Sequence, residues 1–240
     1  MSGMPAGKVN DMAPRTVARL TGAFYLAFVL ASLLAGLVGH IGMGGAEQVN
    51  ESIATNPLSF RLALVIAYLS AVFFLAAAWG LYVLLRPVNR HLALLFLLLN
   101  AVGVGIQCAS MIPLISALLQ QDGAGHLQAY SAAQLEASAY LSIDVYKTAF
   151  ATAQLFFGTW LFPLGYLVFK SGFLPKFLGV ILIVDGVGVI IWFLQALLLP
   201  DYPAISYPSF AVGFIAEVGL ALWLLIMAVK VVDAEEDLPD

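Results

Sequence analysis

Two carboxyl side chains lie within apolar stretches of this sequence that are long enough to cross a membrane. Asp185 is nine residues after Lys176 and fifteen before Pro200, and Glu217 is thirteen before Lys230. A charge at membrane depth costs about 2.5–3.5 kcal/mol on insertion scales, so both should face a bundle interior or a wet cavity. Each is either a cation or proton site, or a protonated carboxyl that is hydrogen-bonded to a neighbouring helix. The second interpretation is favoured for Asp185, and the two are balanced for Glu217.

Two basic residues, Arg61 and Lys147, lie at the starts of apolar stretches. If these stretches cross a membrane, both residues lie on the side opposite to the one that holds most of the other basic residues. Arg61 is 25 residues from Arg86, and Lys147 is 23 from Lys170. These spacings correspond to about 37 Å and 34 Å of helix. Such long side chains ordinarily extend outward to the aqueous interface. The sharper hypothesis is that Glu217 faces a cavity opening outward and contacts Arg61 in an ion pair.

Asp144 and Lys147 are three residues apart, so on a helix they share one face and can pair locally. A membrane lysine beside a carboxylate would also suit a pigment Schiff base, although the boundary position of Lys147 argues against it. The candidate interior polar site therefore comprises Glu217, Arg61, Asp185, Asp144 and Lys147.

The sequence offers neither a catalytic motif nor a recognisable metal or cofactor site. The three histidines, His40, His91 and His126, are scattered, and no two share a helix face. Zinc and bis-histidine haem both need converging ligands. Cys108 is the single cysteine, which excludes an intrachain disulfide. We predict no catalytic residues, no metal and no cofactor.

Composition places the chain in a membrane. Hydrophobic residues make up 62% of its 240 residues and charged residues only 10%, whereas soluble domains carry roughly 25% charged residues. The lipid bilayer is therefore its expected partner. Five of the 14 acids lie in the last eight residues, and the remainder is nearly neutral, so no nucleic-acid partner is expected.

Apolar windows define the predicted architecture, because a spanning helix needs about 20 mostly apolar residues. They are residues 18–39, 60–85, 92–119, 145–169, 174–199 and 209–230. We predict an all-α, polytopic membrane bundle of six transmembrane helices over residues 18–230. A cytoplasmic N-terminal segment, 1–17, precedes it, and an acidic cytoplasmic tail, 231–240, follows.

The distribution of basic residues predicts the orientation. Eight of the ten Lys and Arg residues fall on one side of the predicted spans: Lys8, Arg15, Arg19, Arg86, Arg90, Lys170, Lys176 and Lys230. Since basic loops stay cytoplasmic, both termini should face the cytoplasm.

The connections on the other side, 40–59 and 120–144, are longer. Ser131 and Gln134 form a capping-box pattern, so residues 132–144 should form a helical extension or a separate surface helix. Pro113 and Pro163 lie inside spans three and four, where proline kinks a helix.

Several segments also carry a family resemblance. They are NPLSFRLAL (56–64), LYVLLRPVNRHLALL (81–95), LFFGTWLFPLGYLVFKSGFLPKFLGVIL (155–182), LLPDYP (198–203) and EVGLALWLLIMAVK (217–230). Together they resemble the bacterial membrane family known as domain of unknown function 4386. The resemblance covers about residues 15–230 and implies a multi-pass protein of the bacterial inner membrane, but no activity.

Three classes of function fit a bundle of this kind. The favoured class is non-catalytic: a small-molecule transporter, a sensor or an accessory subunit, with its ligand in an outward-facing cavity. An intramembrane enzyme acting on a lipid or isoprenoid is the first alternative, but its usual dense His/Asp/Glu cluster is missing from this sequence. A cofactor or pigment binder is the second. The oligomeric state is left open.

Overall fold

A computed structural model describes residues 14–121 and 127–227. Within these ranges the chain forms helices α1 (Pro14–Gly39), α2 (Ala46–Thr55), α3 (Pro57–Leu85), α4 (Arg90–Ser110), α5 (Ile112–Gln121), α6 (Ala132–Lys170), α7 (Lys176–Leu198) and α8 (Tyr207–Ile226), with a short 3-10 helix, Pro203–Ser206. Several predicted features lie outside the described residues: Lys8, His126, Lys230 and the acidic tail, 231–240.

In the described part of the chain, six helical segments are long and apolar enough to cross a membrane: α1, α3, α4 with α5, α6, α7, and the 3-10 helix with α8. The prediction of an all-α bundle with six spans is therefore confirmed. The third span breaks at Met111, between α4 and α5. Pro113 explains the break, because its ring lacks an amide donor and clashes with the carbonyl four residues earlier.

Side-chain caps fix where several helices begin. Asn56 accepts a hydrogen bond from the amide of Ser59, and Asn89 accepts from the amides of His91 and Leu92. Ser131 begins α6 through the predicted capping box with Gln134. Helix α6 then runs unbroken for 39 residues, so residues 132–144 are an extension of the fourth span and not a separate helix.

Helix α2 was not predicted. It occupies much of the 40–59 connection and begins where the Gln48 side chain accepts from the amide of Gly45. Its buried residues, Val49 and Ile53, pack into a core cluster with α3, α5 and α6. Two large apolar residues in ten were too weak a pattern to indicate a helix, and packing on the neighbouring helices supplies the stability that propensity alone does not.

The six spans pack as a closed ring in the order α1, α3, α4, α6, α7 and α8, with α8 again beside α1. The end of the ring with the turns at 86–89 and 171–175 is called the turn end. The end with residues 40–56 and 199–206 is called the loop end. One core cluster fills the turn-end half, and a second joins α2 to the loop-end half of α1, α3, α5 and α6.

Glycines set the closest helix crossings. A Cβ on Gly22 of α1 would lie 2.6 Å from the carbonyl oxygen of Ala221 and 2.7 Å from the amide nitrogen of Leu225 on α8. Gly165 of α6 and Gly179 of α7 make a similar backbone contact. Lipid provides no hydrophobic force between helices, so close approach of this kind is what allows dispersion contacts to hold the bundle together.

Candidate functional site

A cavity of about 290 Å³ lies inside the ring. Every span contributes to its lining: Ser32 from α1, Ser70 from α3, Gln107 from α4, Gln154 from α6, Asp185 from α7 and Glu217 from α8 are among the residues that do so. The cavity extends from the middle of the bundle to the loop after α1. Its volume is close to the lower end of the range for small-molecule pockets, about 300–1,000 Å³.

Asp185 lies at the deep end of this cavity. It is nine residues, about 14 Å, from the start of α7, and its side chain is 2% exposed. Its Oδ1 atom is buried and has no hydrogen-bond partner among the described residues. A Cβ on Gly213 of α8 would lie only 2.8 Å from this oxygen. Glycine therefore allows α8 to approach the carboxyl closely.

Glu217 is one helical turn beyond Gly213, so it shares the face of α8 that lines the cavity. Its side chain lies deep among the helices but keeps accessible surface because it borders the cavity. Asp185 is near enough to interact with it electrostatically, and so is the hydroxyl of Tyr25 on α1. Tyr25 is fully buried, and no atom of the described chain meets hydrogen-bond geometry with its hydroxyl. Two carboxyls and a phenol thus converge in the middle of the bundle.

Aromatic rings form the deep wall. Phe28 stacks on Phe74 with ring centroids 4.1 Å apart, and Trp160 meets Phe74 edge to face at 5.2 Å. Phe157 packs on the same ring at 5.3 Å. Because such contacts between rings are directional, each side chain holds its neighbours in place. This wall is therefore preorganised around the two acids.

A second aromatic group lies nearer the mouth. Trp192 of α7 meets Phe210 of α8 edge to face at 4.9 Å and Phe150 of α6 at 6.1 Å. The most exposed residues of the lining are Met43 at 65%, Phe214 at 53% and Phe210 at 48%. Since Met43 follows α1 and the two phenylalanines lie in the first turns of α8, the mouth runs along the side of α8 in the loop-end half.

The loop after α1 covers part of this mouth, and Ile41, Gly42 and Met43 all line the cavity. His40 begins the loop in the left-handed region, at φ 55°, and its Nδ1 atom lies 2.7 Å from the hydroxyl of Ser52. The amide of Gly42 donates to the Tyr146 hydroxyl at 2.6 Å. The loop is thus tied to α2 and α6 and does not project freely.

The structure brings together two of the five predicted site residues, Asp185 and Glu217. Arg61, Asp144 and Lys147 are exposed and do not line the cavity. The contact between Arg61 and Glu217 stays a prediction. Helix α1 packs between α3 and α8, so Tyr25 of α1 lies beside Glu217 together with Asp185.

Sequence reasoning assigned no site role to Tyr25 or to the aromatic walls, because rings in apolar helices are ordinarily packing residues. Gln107 and Gln154 are polar residues of apolar spans, a type that ordinarily bonds helix to helix, yet both line the cavity. In the sequence, the signal for this site was the spacing of Gly213 and Glu217, which places a small residue one helical turn before a carboxyl. Within the described ranges, no three His, Cys, Asp or Glu side chains group in a way that could hold a metal ion.

These features define a polytopic α-helical membrane protein with a central, partly acidic cavity. The chain belongs to the family described as domain of unknown function (DUF4386), whose profile matches residues 20–228. It is also similar to a protein of Archaeoglobus fulgidus named "Uncharacterized protein". The identity is 29% over 168 residues, which cover 68% of this chain and 82% of the relative. No solved structure matches the chain.

An unpaired buried carboxyl oxygen is costly to stability, by about 1–3 kcal/mol when it lacks a partner. We therefore expect Asp185→Asn to leave the free energy of unfolding unchanged or to raise it by about 1 kcal/mol. Asp144→Asn, an exposed acid on α6, is the matched control and should have no effect. Thermal unfolding in detergent measures both variants. A loss of more than about 1 kcal/mol in Asp185→Asn alone would show that the carboxylate stabilises the fold through a partner.

Proposed function

We propose that this protein binds a small molecule in its central cavity and acts as a transporter or a sensor in the bacterial cytoplasmic membrane. The loop end faces outward in this proposal. The observation that carries it is the cavity itself: all six spans line it, and two acids lie at its deep end. A bundle that served only as a scaffold gains nothing from such a space, because voids forfeit the dispersion contacts that hold helices together.

The lining has the composition of a ligand pocket. Such pockets are mainly apolar and aromatic, with a few converging polar groups that orient the ligand. Here Phe74, Trp160 and Trp192 supply rings, and Ser70 and Gln154 are among the polar groups. The mouth beside α8 supports entry of a ligand from the outer part of the bilayer as well as from the loop end.

Native mass spectrometry of the purified protein tests this proposal, with a variant that fills the cavity. We expect a small molecule to co-purify with the wild type. Ser32→Trp should abolish its retention, because Ser32 lines the cavity. Leu34→Trp is the matched control: it lies two residues further along α1, is 47% exposed and does not line the cavity. It should retain the ligand.

Two results would contradict the proposal. One is a wild-type protein that carries no small molecule when released gently from native-like lipid. The other is equal retention in Ser32→Trp and wild type, which would place the bound molecule elsewhere on the bundle.

A further inference from the structure

The cavity lining carries two carboxyl groups without a matching base. Asp185 and Glu217 both line it, and no lysine, arginine or histidine of the described chain does. Acidic side chains inside membranes ordinarily pair with a cation or a proton, and they mark the paths of ions and substrates. A positive charge that the lining does not supply must therefore come from a ligand or from protons.

Asp185 is a cavity-lining acid that lacks a partner in the described part of the chain. The side chain is 98% buried, borders the cavity, and holds Oδ1 without a hydrogen-bond partner in the described part of the chain. Buried polar groups in native proteins are nearly always satisfied, and an exception needs an explanation. Gly213 lets α8 pack directly against this oxygen, which is itself fully buried, so the cavity borders Asp185 through the rest of its side chain. A donor or cation in the cavity would satisfy the carboxyl.

The aromatic residues that line the cavity indicate which kind of cation it can bind. Metal ions such as Ca²⁺ require six or more oxygen ligands, whereas most of this lining is carbon. Rings attract organic cations through their negative faces, and this attraction grows when the cation is desolvated. Phe28, Phe74 and Trp160 surround the deep end, and Trp192 and Phe210 continue the aromatic surface toward the mouth.

We propose that the cavity binds a lipophilic organic cation. Its ammonium-type or phosphonium-type centre lies beside Asp185 and Glu217, and its apolar body lies against the rings. This inference rests on the proposed small-molecule function and specifies the class of ligand. The mouth along α8 suits such a molecule, because lipophilic cations gather in the outer part of a bilayer and can enter the cavity from there.

The test compares ions of opposite charge and similar shape. Tetraphenylphosphonium and tetraphenylborate each carry four phenyl rings, and phenyltrimethylammonium provides a smaller cation. Binding is measured by quenching of tryptophan fluorescence, since Trp160 and Trp192 line the cavity. We expect saturable binding of at least one of the two cations and none of tetraphenylborate.

Carboxyl variants locate the binding. Glu217→Gln and Asp185→Asn preserve side-chain shape and should each weaken cation binding by about tenfold or more. Asp144→Asn removes an acid outside the cavity and should bind as the wild type does. Unchanged affinity in both cavity variants would overturn the proposal, and so would equal, carboxyl-dependent binding of tetraphenylborate.

A second measurement keeps both acids in place, in case their variants fold poorly. Ser32→Cys, with Cys108→Ser, is treated with cationic and anionic methanethiosulfonate reagents. At each position the rate of reaction with the cationic reagent is divided by the rate with the anionic reagent. We expect this ratio to be about ten times larger at Ser32→Cys than at Thr55→Cys, because a negative cleft concentrates cations. Thr55 is exposed on α2 and serves as the reference. Equal ratios at the two positions would count against the proposal.

The two proposals fail in different ways. If native mass spectrometry shows a ligand that Ser32→Trp removes, but neither cation binds, then the cavity takes a ligand of another class and the inference about charge is wrong. If no ligand co-purifies, no probe binds and Ser32→Cys does not react, then both proposals are wrong.

Discussion

Replacing Gly22 by alanine is expected to destabilise the bundle by about 1–3 kcal/mol, the usual cost of forcing an extra methyl group into a packed core. The new Cβ would lie 2.6 Å from the carbonyl oxygen of Ala221 and 2.7 Å from the amide nitrogen of Leu225. Both are backbone atoms in the last two turns of α8, so no side-chain rotation relieves the clash. Helices α1 and α8 would have to separate, which would also move Tyr25 away from Glu217.

Gly105→Ala is the matched control for this variant. Gly105 lies inside α4, five residues before its end, is exposed, and would place a Cβ with no atom within 4 Å. Because alanine favours a helix over glycine by roughly 0.5–1 kcal/mol, this variant should be as stable as the wild type or more so. Unfolding in detergent, by heat or by sodium dodecyl sulfate, measures both. Equal stability of the two variants would show that α1 and α8 do not cross at Gly22.

The second prediction with a large expected effect concerns the orientation of the chain in the membrane. The extent of cysteine labelling at each site should be nearly complete or nearly zero. In a Cys108→Ser background, a cysteine at Glu51 or Asp201 should react with an impermeant thiol reagent added outside intact cells. A cysteine at Pro87 should react only after the membrane is permeabilised. Glu51 and Asp201 lie at the loop end, Pro87 lies at the turn end, and all three are exposed.

The physical reason is the distribution of basic residues. Arg86, Arg90, Lys170 and Lys176 all lie at the turn end, and loops rich in lysine and arginine are retained in the cytoplasm. The Cys108→Ser protein without a new cysteine controls for background labelling. Labelling of Pro87→Cys in intact cells would show that the orientation is the opposite of the predicted one. The cavity would then open toward the cytoplasm.

Much of the bundle could be predicted from the sequence, because its main signals are local. A span needs only about 20 apolar residues in a row, so composition sufficed to find all six. The caps at Asn56 and Ser131 involve residues three positions apart. The high cost of a charge in lipid marked Asp185 and Glu217 as interior residues without any knowledge of their neighbours.

Only the tertiary structure decided which residues surround those two acids. Lipid provides no hydrophobic force that selects which helix faces pack against each other. The order of the helices therefore depends on small residues far apart in sequence, such as Gly22 and Ala221. That crossing places α1 between α3 and α8, and it puts Tyr25 beside Glu217. The sequence by itself determined the six spans and their interior acids, whereas packing between distant segments decided that rings from separate helices enclose those acids in one cavity.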